Sequence, residues 1–392
     1  VLGFLIAMYL AWNYEQSPNG FVRTSSQQSW RNPNKVSQRK PLTSNLIIIS
    51  LVVASAVLYF YLESPGTQEK VTSENIDKSI AVIPFDDMSP GGDQKYLADG
   101  MQEAILNHLA KIKDMRVISR TTMEAYRESN KSTPSIASDV GVSYILEGSI
   151  QRIANKVRIT VQLIQGNSDK HLWSENYDRD LSDIFTIQTE IAKRVAKELN
   201  TTISVKDRTL IETIPTTTLT AYDYYLKGMD FRNRSNEEED LQFAAQMFSQ
   251  AIEIDSTFTL AWVGLASASR SIYWYRFNRT EEILVKTKEY LDRAIALDPD
   301  NFEVRLEAGK YHYQCKLDYG QALPIFEKLR SEYPNNSQLY AWTGYIYRRM
   351  GQFENSFKNL VRAILLNPSS WNERANAAYT LVSLRRYREA EN

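Results

Sequence analysis

The sequence predicts a multi-domain protein: transmembrane helices, then an α+β domain with helices on a mixed sheet, then an all-α superhelix of repeats. Three observations predict it. Residues 41–62 carry no charge, residues 79–205 mix strand-like and helix-like patterns, and residues 218–392 repeat a spacing of 34 or 35 residues. The net charge of −1 at pH 7 gives no general attraction to nucleic acid, and the single cysteine excludes an internal disulfide.

The uncharged stretch predicts a transmembrane helix over residues 42–62. At about 1.5 Å per residue it would span roughly 30 Å, the thickness of a bilayer's hydrocarbon core. Tyr59 and Tyr61 near its end are typical of the membrane interface. The alternative is a buried helix of a soluble domain, but such helices rarely extend this far without a charge.

Residues 1–13 are apolar but too short to span a membrane, so we expect them to be the end of a truncated transmembrane helix. Residues 14–41 carry five Lys or Arg residues against Glu15 alone, which predicts a basic cytoplasmic loop. Residues 63–78 are polar and read as a linker. This charge asymmetry predicts a bacterial inner membrane protein with residues 63–392 in the periplasm.

The α+β domain is predicted from hydrophobic periodicity. Its expected elements are a strand at 79–85, a helix at 94–112, a strand at 115–119, short helices near 121–127 and 134–140, strands at 144–153, 156–165 and 171–180, and a helix at 183–203. Ala154-Asn155 between two alternating strands predicts a tight hairpin. The order βαβαβββα favours helices packed on a mixed sheet.

Several phrases of this domain resemble one known family in order and spacing. They are SIAVIPFDDMSPGGDQKYLADGMQEAI, MRVISRTTM, YILEGSIQRIANKVRITVQLI and HLWSENYDRDLSDIFTIQTEIA. Together they resemble the TolB amino-terminal-like, or FlgO-like, domain over residues 79–205. LAWNYEQSPNGFVRT also resembles a membrane helix and loop of bacterial membrane proteins that join this domain to tetratricopeptide repeats. The resemblance implies an envelope location and no particular reaction.

The C-terminal part predicts a tetratricopeptide superhelix over residues 218–392, with about 4.5 units. Equivalent positions recur at 34 or 35 residues: Pro299, Pro334 and Pro368; Gly309, Gly344 and Ala378; Ala322, Ser356 and Ala390. Two looser units begin at Ala221 and Phe258. The fifth unit stops as its second helix begins, and since a half-repeat cannot bury its apolar face, we expect a C-terminal truncation.

The first helix of each pair is expected to line an inner groove. The predicted inward positions are Tyr222, Tyr225, Met229, Arg232, Arg270, Lys310, Tyr313, Tyr345, Arg348 and Arg349. Aromatic residues and Arg are typical of protein-binding surfaces. Arg232, Arg270 and Arg348 would form a ladder suited to a segment that carries carboxylates. Alternatively, these arginines pair with acidic neighbours such as the cluster at 237–240.

No catalytic motif is present in the sequence. The three histidines are far apart, and there is no GxSxG, CxxC or phosphate-binding Gly-rich loop, so we expect no enzyme activity, no cofactor and no metal site. Asp86, Asp87 and Asp93 crowd the end of the first strand and would suit a cation, but solvated loop carboxylates are the favoured interpretation. Gly91-Gly92 beside them is expected to be a plain turn.

The expected function is a membrane-anchored periplasmic scaffold or sensor that binds proteins through the groove and contacts the lipid bilayer. The alternative is a transmembrane signalling protein whose cytoplasmic effector domain, DNA-binding or cyclase, lies upstream of this sequence. A third reading is an envelope enzyme. No nucleic acid partner is expected within this chain, and the sequence leaves the partner's identity and the oligomeric state open.

Overall fold

The computed structural model describes Tyr14–Ser17, Gly20–Arg23 and residues 78–390. The chain divides into two compact units, residues 1–72 and 73–392. In the first unit, β1 (Tyr14–Ser17) pairs with β2 (Gly20–Arg23) as an antiparallel hairpin. This hairpin lies in the segment that was predicted to be a basic loop.

The prediction of transmembrane helices is wrong for the residues that the structure describes, since no helix among them is long and apolar enough to cross a membrane. The longest of these helices have 17 residues and combine a buried apolar stripe with a charged face. Such a face is costly in lipid, and each stripe is used in packing against protein. The predicted spans at 1–13 and 42–62, and nearly all of the linker at 63–78, lie outside the described residues.

A six-stranded mixed sheet forms the centre of the second unit's α+β domain. Its strands are β3 (Ser79–Val82), β4 (Asp86–Asp87), β5 (Arg116–Val117), β6 (Tyr144–Ile153), β7 (Lys156–Gln165) and β8 (Lys170–Asp180). The order is β5-β3-β6-β7-β8, and β4 also pairs with β6. Pairs among β3 to β6 are parallel, whereas β6, β7 and β8 are antiparallel. The predicted hairpin is confirmed, with Ala154 in the left-handed region at φ 54°.

Helices cover both faces of this sheet. They are α1 (Lys95–Ala110), α2 (Arg120–Glu124), α3 (Thr133–Val140), α4 (Ile184–Glu198) and α5 (Val205–Glu212). Ile80 and Val82 of β3 pack in one core with residues of α1 and α4, whereas Ala81 packs in a second core with residues of α2 and α3. Since side chains alternate along a strand, the sheet lies between two helical layers. The predicted helices on a mixed sheet are therefore observed.

An array of helical pairs follows. Its helices are α6 (Leu219–Arg234), α7 (Glu238–Ile254), α8 (Thr259–Trp274), α9 (Glu281–Leu297), α10 (Phe302–Tyr311), α11 (Tyr319–Glu332), α12 (Ser337–Arg349), α13 (Phe353–Leu366), α14 (Trp371–Ser383) and α15 (Tyr387–Ala390). Gly309 lies where α10 crosses α11, and a Cβ there would stand 2.7 Å from the Phe326 ring. This close crossing explains why the repeat requires a small residue.

The array rests against the α+β domain at its first pair and again at the end of its fourth pair. At the first pair, the Tyr96 hydroxyl of α1 donates to Asp223 Oδ1 of α6 at 2.8 Å. At the far end, the buried Arg116 of β5 donates through Nη1 to the Leu366 carbonyl at 2.9 Å. The next residue, Asn367, donates to Thr122 Oγ1 at 2.8 Å. The turn before α14 therefore faces the α+β domain. We call the side of the array that the first helices of the pairs form its inner face; the α+β domain covers part of it at α6.

Candidate functional site

Tyr222 and Tyr225, two of the predicted groove residues, lie near the start of α6, where Tyr222 is buried and Tyr225 is half-buried. Tyr222 is buried, accepts a hydrogen bond from Gln188 Nε2 at 3.0 Å, and lies edge-on to Phe185 at 4.6 Å between ring centroids. Tyr225 packs against Phe258 with ring centroids 5.0 Å apart. Gln188 and Phe185 belong to α4, so the α+β domain covers the start of α6. Tyr222 therefore joins the two domains, whereas the ring contacts of Tyr225 lie within the array.

A cavity of about 560 Å³ lies between α1 and the start of the array. Its lining includes Glu103, Tyr225, Met229, Glu303 and Tyr333. Burial raises the pKa of Glu103, although the guanidinium of Arg120, with Nε 3.5 Å from Glu103 Oε2, opposes that rise. Met229 thus lies at this acidic cavity together with Tyr222 and Tyr225, apart from the predicted groove residues of the later helices. The sequence did not reveal the cavity because its walls come from segments more than 100 residues apart.

Arg270 is buried and bound within the array. Its Nε donates to Glu307 Oε1 at 2.5 Å, and the exposed side-chain fractions are 5% for Arg270 and 4% for Glu307. Its Nη2 donates to Ser267 Oγ at 3.0 Å, and its Nη1 donates to Gln314. All three guanidinium nitrogens therefore have internal partners. Arg270 does not form an exposed rung of the predicted ladder.

Gln314 reaches Arg270 from a turn of π-helix, His312–Lys316, that directly follows α10. The turn ends at Leu317, which is in the left-handed region at φ 54°. Single π turns insert an extra residue into a helix and are frequent at functional sites. Here the turn brings an amide oxygen to the arginine at the centre of the inner face.

Arg232 and Lys310 carry charges that interact with this pair electrostatically. In the part of the chain that the structure describes, neither forms a hydrogen bond or a salt bridge, and Arg232 Nε is buried and unpaired. Burial lowers the pKa of Lys310 to about 8; the Glu307 carboxylate opposes the shift, and the charges of Arg270 and Arg232 add to it. Burial and the charge of Arg270 also lower the pKa of Arg232. Arg270 therefore binds the Glu307 carboxylate directly, and Arg232 and Lys310 interact with it electrostatically; we call these four residues the basic cluster.

An aromatic strip made of the half-buried Trp342 and Tyr345 and the buried Tyr313 continues from the basic cluster. The Lys310 ammonium lies 5.7 Å from the Trp342 ring centroid. Trp342 in turn lies 5.6 Å from Tyr313 and 5.7 Å from Tyr345, between ring centroids. The structure thus connects Lys310, Tyr313 and Tyr345 through a tryptophan that the sequence analysis had not selected.

Arg348 and Arg349 border the aromatic strip. The Arg348 guanidinium lies 5.7 Å from the Tyr345 ring centroid and donates through Nη2 to Asn376 Oδ1 of α14 at 2.7 Å. Arg349 is exposed and donates through Nε to the Tyr313 hydroxyl at 3.5 Å. The strip therefore carries positive charge at both ends.

Glu307 and Trp342 are the two residues of this surface that sequence reasoning missed. Glu307 precedes Lys310 by three residues, and Trp342 precedes Tyr345 by three. Residues three apart share one face of a helix, so this spacing was a usable signal.

Of the three aspartates near the first strand, Asp87 has a structural role in its loop. The Asp87 carboxylate accepts backbone N–H bonds from Ser89 at 2.9 Å and Gln94 at 2.8 Å. Burial by itself would raise the pKa of Asp87, but these hydrogen bonds to the carboxylate outweigh it and lower that pKa. No group of three or more His, Cys, Asp or Glu side chains that could hold a metal occurs within the described residues. That Asp86, Asp87 and Asp93 bind no metal remains a prediction.

Two family models match parts of the chain. One, described as the second domain of HilA/YgeH-like transcriptional regulators, matches residues 76–194. The other, a tetratricopeptide repeat, matches residues 337–370, so the helical array is a tetratricopeptide array. The family model that matches the α+β domain is therefore not the TolB-like family that its sequence resembles.

A curated protein and several solved structures are also similar. "Putative adenylate cyclase 3" of Rhizobium meliloti is 30% identical over 239 residues, which cover 61% of this chain and 40% of that protein. The structure of PilF from Pseudomonas aeruginosa is 20% identical, with a TM-score of 0.36, and the match covers 44% of this chain and 72% of that one. A structure of MamA from AMB-1 is 20% identical, with a TM-score of 0.30, over 44% and 86% of the two chains. This chain spans 40% of the length of the curated relative.

Proposed function

We propose that this chain is a protein-binding scaffold whose tetratricopeptide array holds a segment of a partner protein on its inner face. The observation that carries the proposal is the continuous surface from the basic cluster along the aromatic strip. The Lys310 ammonium lies 5.7 Å from the centroid of the Trp342 ring, and that centroid lies 5.7 Å from the centroid of the Tyr345 ring. The surface therefore offers apolar area and charge side by side.

This composition suits a protein segment better than a small metabolite. Rigid aromatic rings supply contact area at low entropic cost, and arginines at their border form directional hydrogen bonds. Both kinds of residue are enriched where interfaces concentrate their binding energy. The repeated first helices also present one face over several pairs, as an elongated ligand requires.

A second candidate is the regulatory part of a signalling protein. The curated relative is named as a putative adenylate cyclase, and this chain covers 40% of its length. The family model that matches the α+β domain is described as a domain of transcriptional regulators. The contacts of Arg116 and Asn367 give a physical link through which binding on the array would affect the α+β domain. The TolB-like relationship and the periplasmic location remain predictions from the sequence.

Peptide selection tests the protein-binding proposal. Peptides selected from a random display library on the full chain should bind Trp342→Leu about tenfold more weakly than the parent, a loss of about 1.4 kcal/mol. Leucine keeps apolar contact with Phe326, whose ring stacks on Trp342 at 5.9 Å, but removes the surface beside Lys310. Affinities can be measured by fluorescence anisotropy.

The matched control is Val285→Ala, because Val285 is 46% exposed on α9, the second helix of its pair. It should bind the selected peptides with the parent's affinity. Equal weakening in the two variants, or none in Trp342→Leu, would place binding elsewhere and contradict the proposal.

A further inference from the structure

We propose that the acidic cavity between α1 and the start of the array is a binding site for a small organic cation. The carboxylates of its wall, Glu103 on α1 and Glu303 on α10, bind the ammonium group, and the aromatic rings of the wall contact the apolar body. The residues of the aromatic strip do not line this cavity. The inference therefore goes beyond the proposed function and does not rest on it.

The cavity has the size and the position of a small-molecule site. Its volume of about 560 Å³ falls within the range of about 300 to 1,000 Å³ that is typical of such sites. Its wall combines α1 and α4 of the α+β domain with α6 and α10 of the array. Small ligands bind preferentially at such domain interfaces. A molecule in the cavity would contact both domains at once.

The wall of the cavity carries an excess of negative charge. Seven Asp or Glu residues line it, against Lys111 and Arg120. Arg120 already contacts two of the seven, with Nη2 3.4 Å from Asp99 Oδ2 and Nε 3.5 Å from Glu103 Oε2. A concave surface lined by one sign of charge concentrates the opposite ion, so this cavity favours a cation. Four of its acidic residues form no salt bridge within residues 78–390: Asp255, Asp298, Asp300 and Glu303.

Glu303 is the acidic residue best placed to bind an ammonium group. It lies in the first turn of α10, where its backbone N–H donates to Asn301 Oδ1 at 3.0 Å. Its side chain is half-buried, and its carboxylate accepts no hydrogen bond from the residues that the structure describes. This carboxylate therefore keeps its full capacity for the short, charge-assisted hydrogen bonds that an ammonium group donates.

His108 provides an independent sign of a missing ligand. Its side chain belongs to the cavity wall and is only 9% exposed, yet its Nδ1 is buried without a hydrogen-bond partner among the described residues. Burial, together with the charge of Lys111, lowers the pKa of His108 to about 3. The imidazole is therefore neutral near pH 7 and does not repel a cation. A neutral imidazole also has one nitrogen that accepts a hydrogen bond.

Aromatic rings give the wall its apolar part. Tyr225, Phe302 and Tyr333 line the cavity, and the rings of Phe302 and Tyr333 lie edge-on with centroids 4.8 Å apart. The faces of such rings attract cations and cover apolar groups. No group of three or more His, Cys, Asp or Glu side chains that could hold a metal ion occurs in the described part of the chain. The spread of charge and rings thus fits an amine with an apolar body better than a metal ion.

Three probes of one shape and different charge test the inference on the full chain. They are 2-phenylethylammonium, the neutral 2-phenylethanol and the anionic 3-phenylpropionate. Titrations followed by saturation-transfer NMR, at about pH 7 and constant ionic strength, give the affinity of each probe. We expect saturable binding of the ammonium. The alcohol and the carboxylate should bind at least about tenfold more weakly, because they lack the charge that the wall attracts.

Variants of the wall assign the binding to the cavity. Glu303→Gln and Glu103→Gln should each weaken 2-phenylethylammonium about tenfold, since each removes one negative charge and keeps the side chain's shape. The matched control is Glu282→Gln, because Glu282 also lies in the first turn of a helix, α9, but its side chain is 72% exposed. Glu282→Gln should bind with the parent's affinity, and so should Trp342→Leu, which changes only the aromatic strip.

The inference is overturned if 2-phenylethylammonium shows no saturable binding, or if 2-phenylethanol binds equally well. Parental affinity in both Glu303→Gln and Glu103→Gln would also overturn it. A loss of binding in Trp342→Leu would place the cation on the aromatic strip and refute the cavity. None of these outcomes bears on the peptide selection, so the proposed function stands or fails separately.

Discussion

Replacing Arg270 with alanine should lower the free energy of unfolding by about 3 to 5 kcal/mol. The substitution leaves the Glu307 carboxylate buried without the guanidinium that binds it, and only 4% of that side chain is exposed. The substitution also removes the guanidinium that donates a hydrogen bond to the Gln314 side chain in the π-helical turn. Urea denaturation of the full chain measures the loss.

A paired replacement separates the lost charge partner from lost packing. Arg270→Met combined with Glu307→Leu should recover most of the stability, since apolar residues of similar volume often replace a buried ion pair without loss. Arg293→Ala on the exposed face of α9 should change stability by less than about 0.5 kcal/mol. A loss below about 1 kcal/mol in Arg270→Ala would contradict the buried position of the pair.

Replacing Phe248 with alanine should cost about 3 to 5 kcal/mol of unfolding free energy. This ring of α7 lies between two glycines of neighbouring helices. A Cβ at Gly228 of α6 would stand 2.7 Å from the ring, and one at Gly264 of α8 would stand 2.6 Å from it. The ring fills the space where three helices meet, so its removal leaves a cavity. Thermal and urea denaturation should both report the loss.

The same helix offers a control in Phe243, which is 40% exposed. Phe243→Ala should cost less than about 1 kcal/mol. Gly264→Ala should destabilise the parent but have a smaller effect in the Phe248→Ala variant, since the space for a methyl group is then open. If Phe243→Ala costs as much as Phe248→Ala, the helices do not meet around Phe248.

Much of the fold could be read from local patterns. The alternation in residues 144–165 and the apolar stripes of α1 and α4 are local signals, and these elements lie within a few residues of their expected places. The two-residue strand Asp86–Asp87 was missed because only its pairing with β6 defines it. The π turn at His312–Lys316 was also missed; its Gln314 accepts a hydrogen bond from Arg270, a residue 44 positions earlier in the sequence.

The environment of the predicted groove residues could not be predicted from the sequence. The 34-residue period placed Arg232, Arg270 and Lys310 on the first helices of three successive pairs, and that these residues line a groove remains a prediction. Periodicity does not predict which of these three residues binds a buried carboxylate. In the structure, Arg270 binds Glu307. Periodicity also does not predict which positions are covered by another domain. In the structure, α4 of the α+β domain covers Tyr222. Both outcomes depend on contacts between distant segments.

The central claim, that the inner face holds a partner segment, is tested most directly by hydrogen–deuterium exchange of the full chain with and without a saturating selected peptide. The account predicts slower exchange in α10 and α12, which carry Lys310 and Trp342, and unchanged exchange in α9 and α11. Slowing confined to α9 and α11, or to the α+β domain, would contradict it.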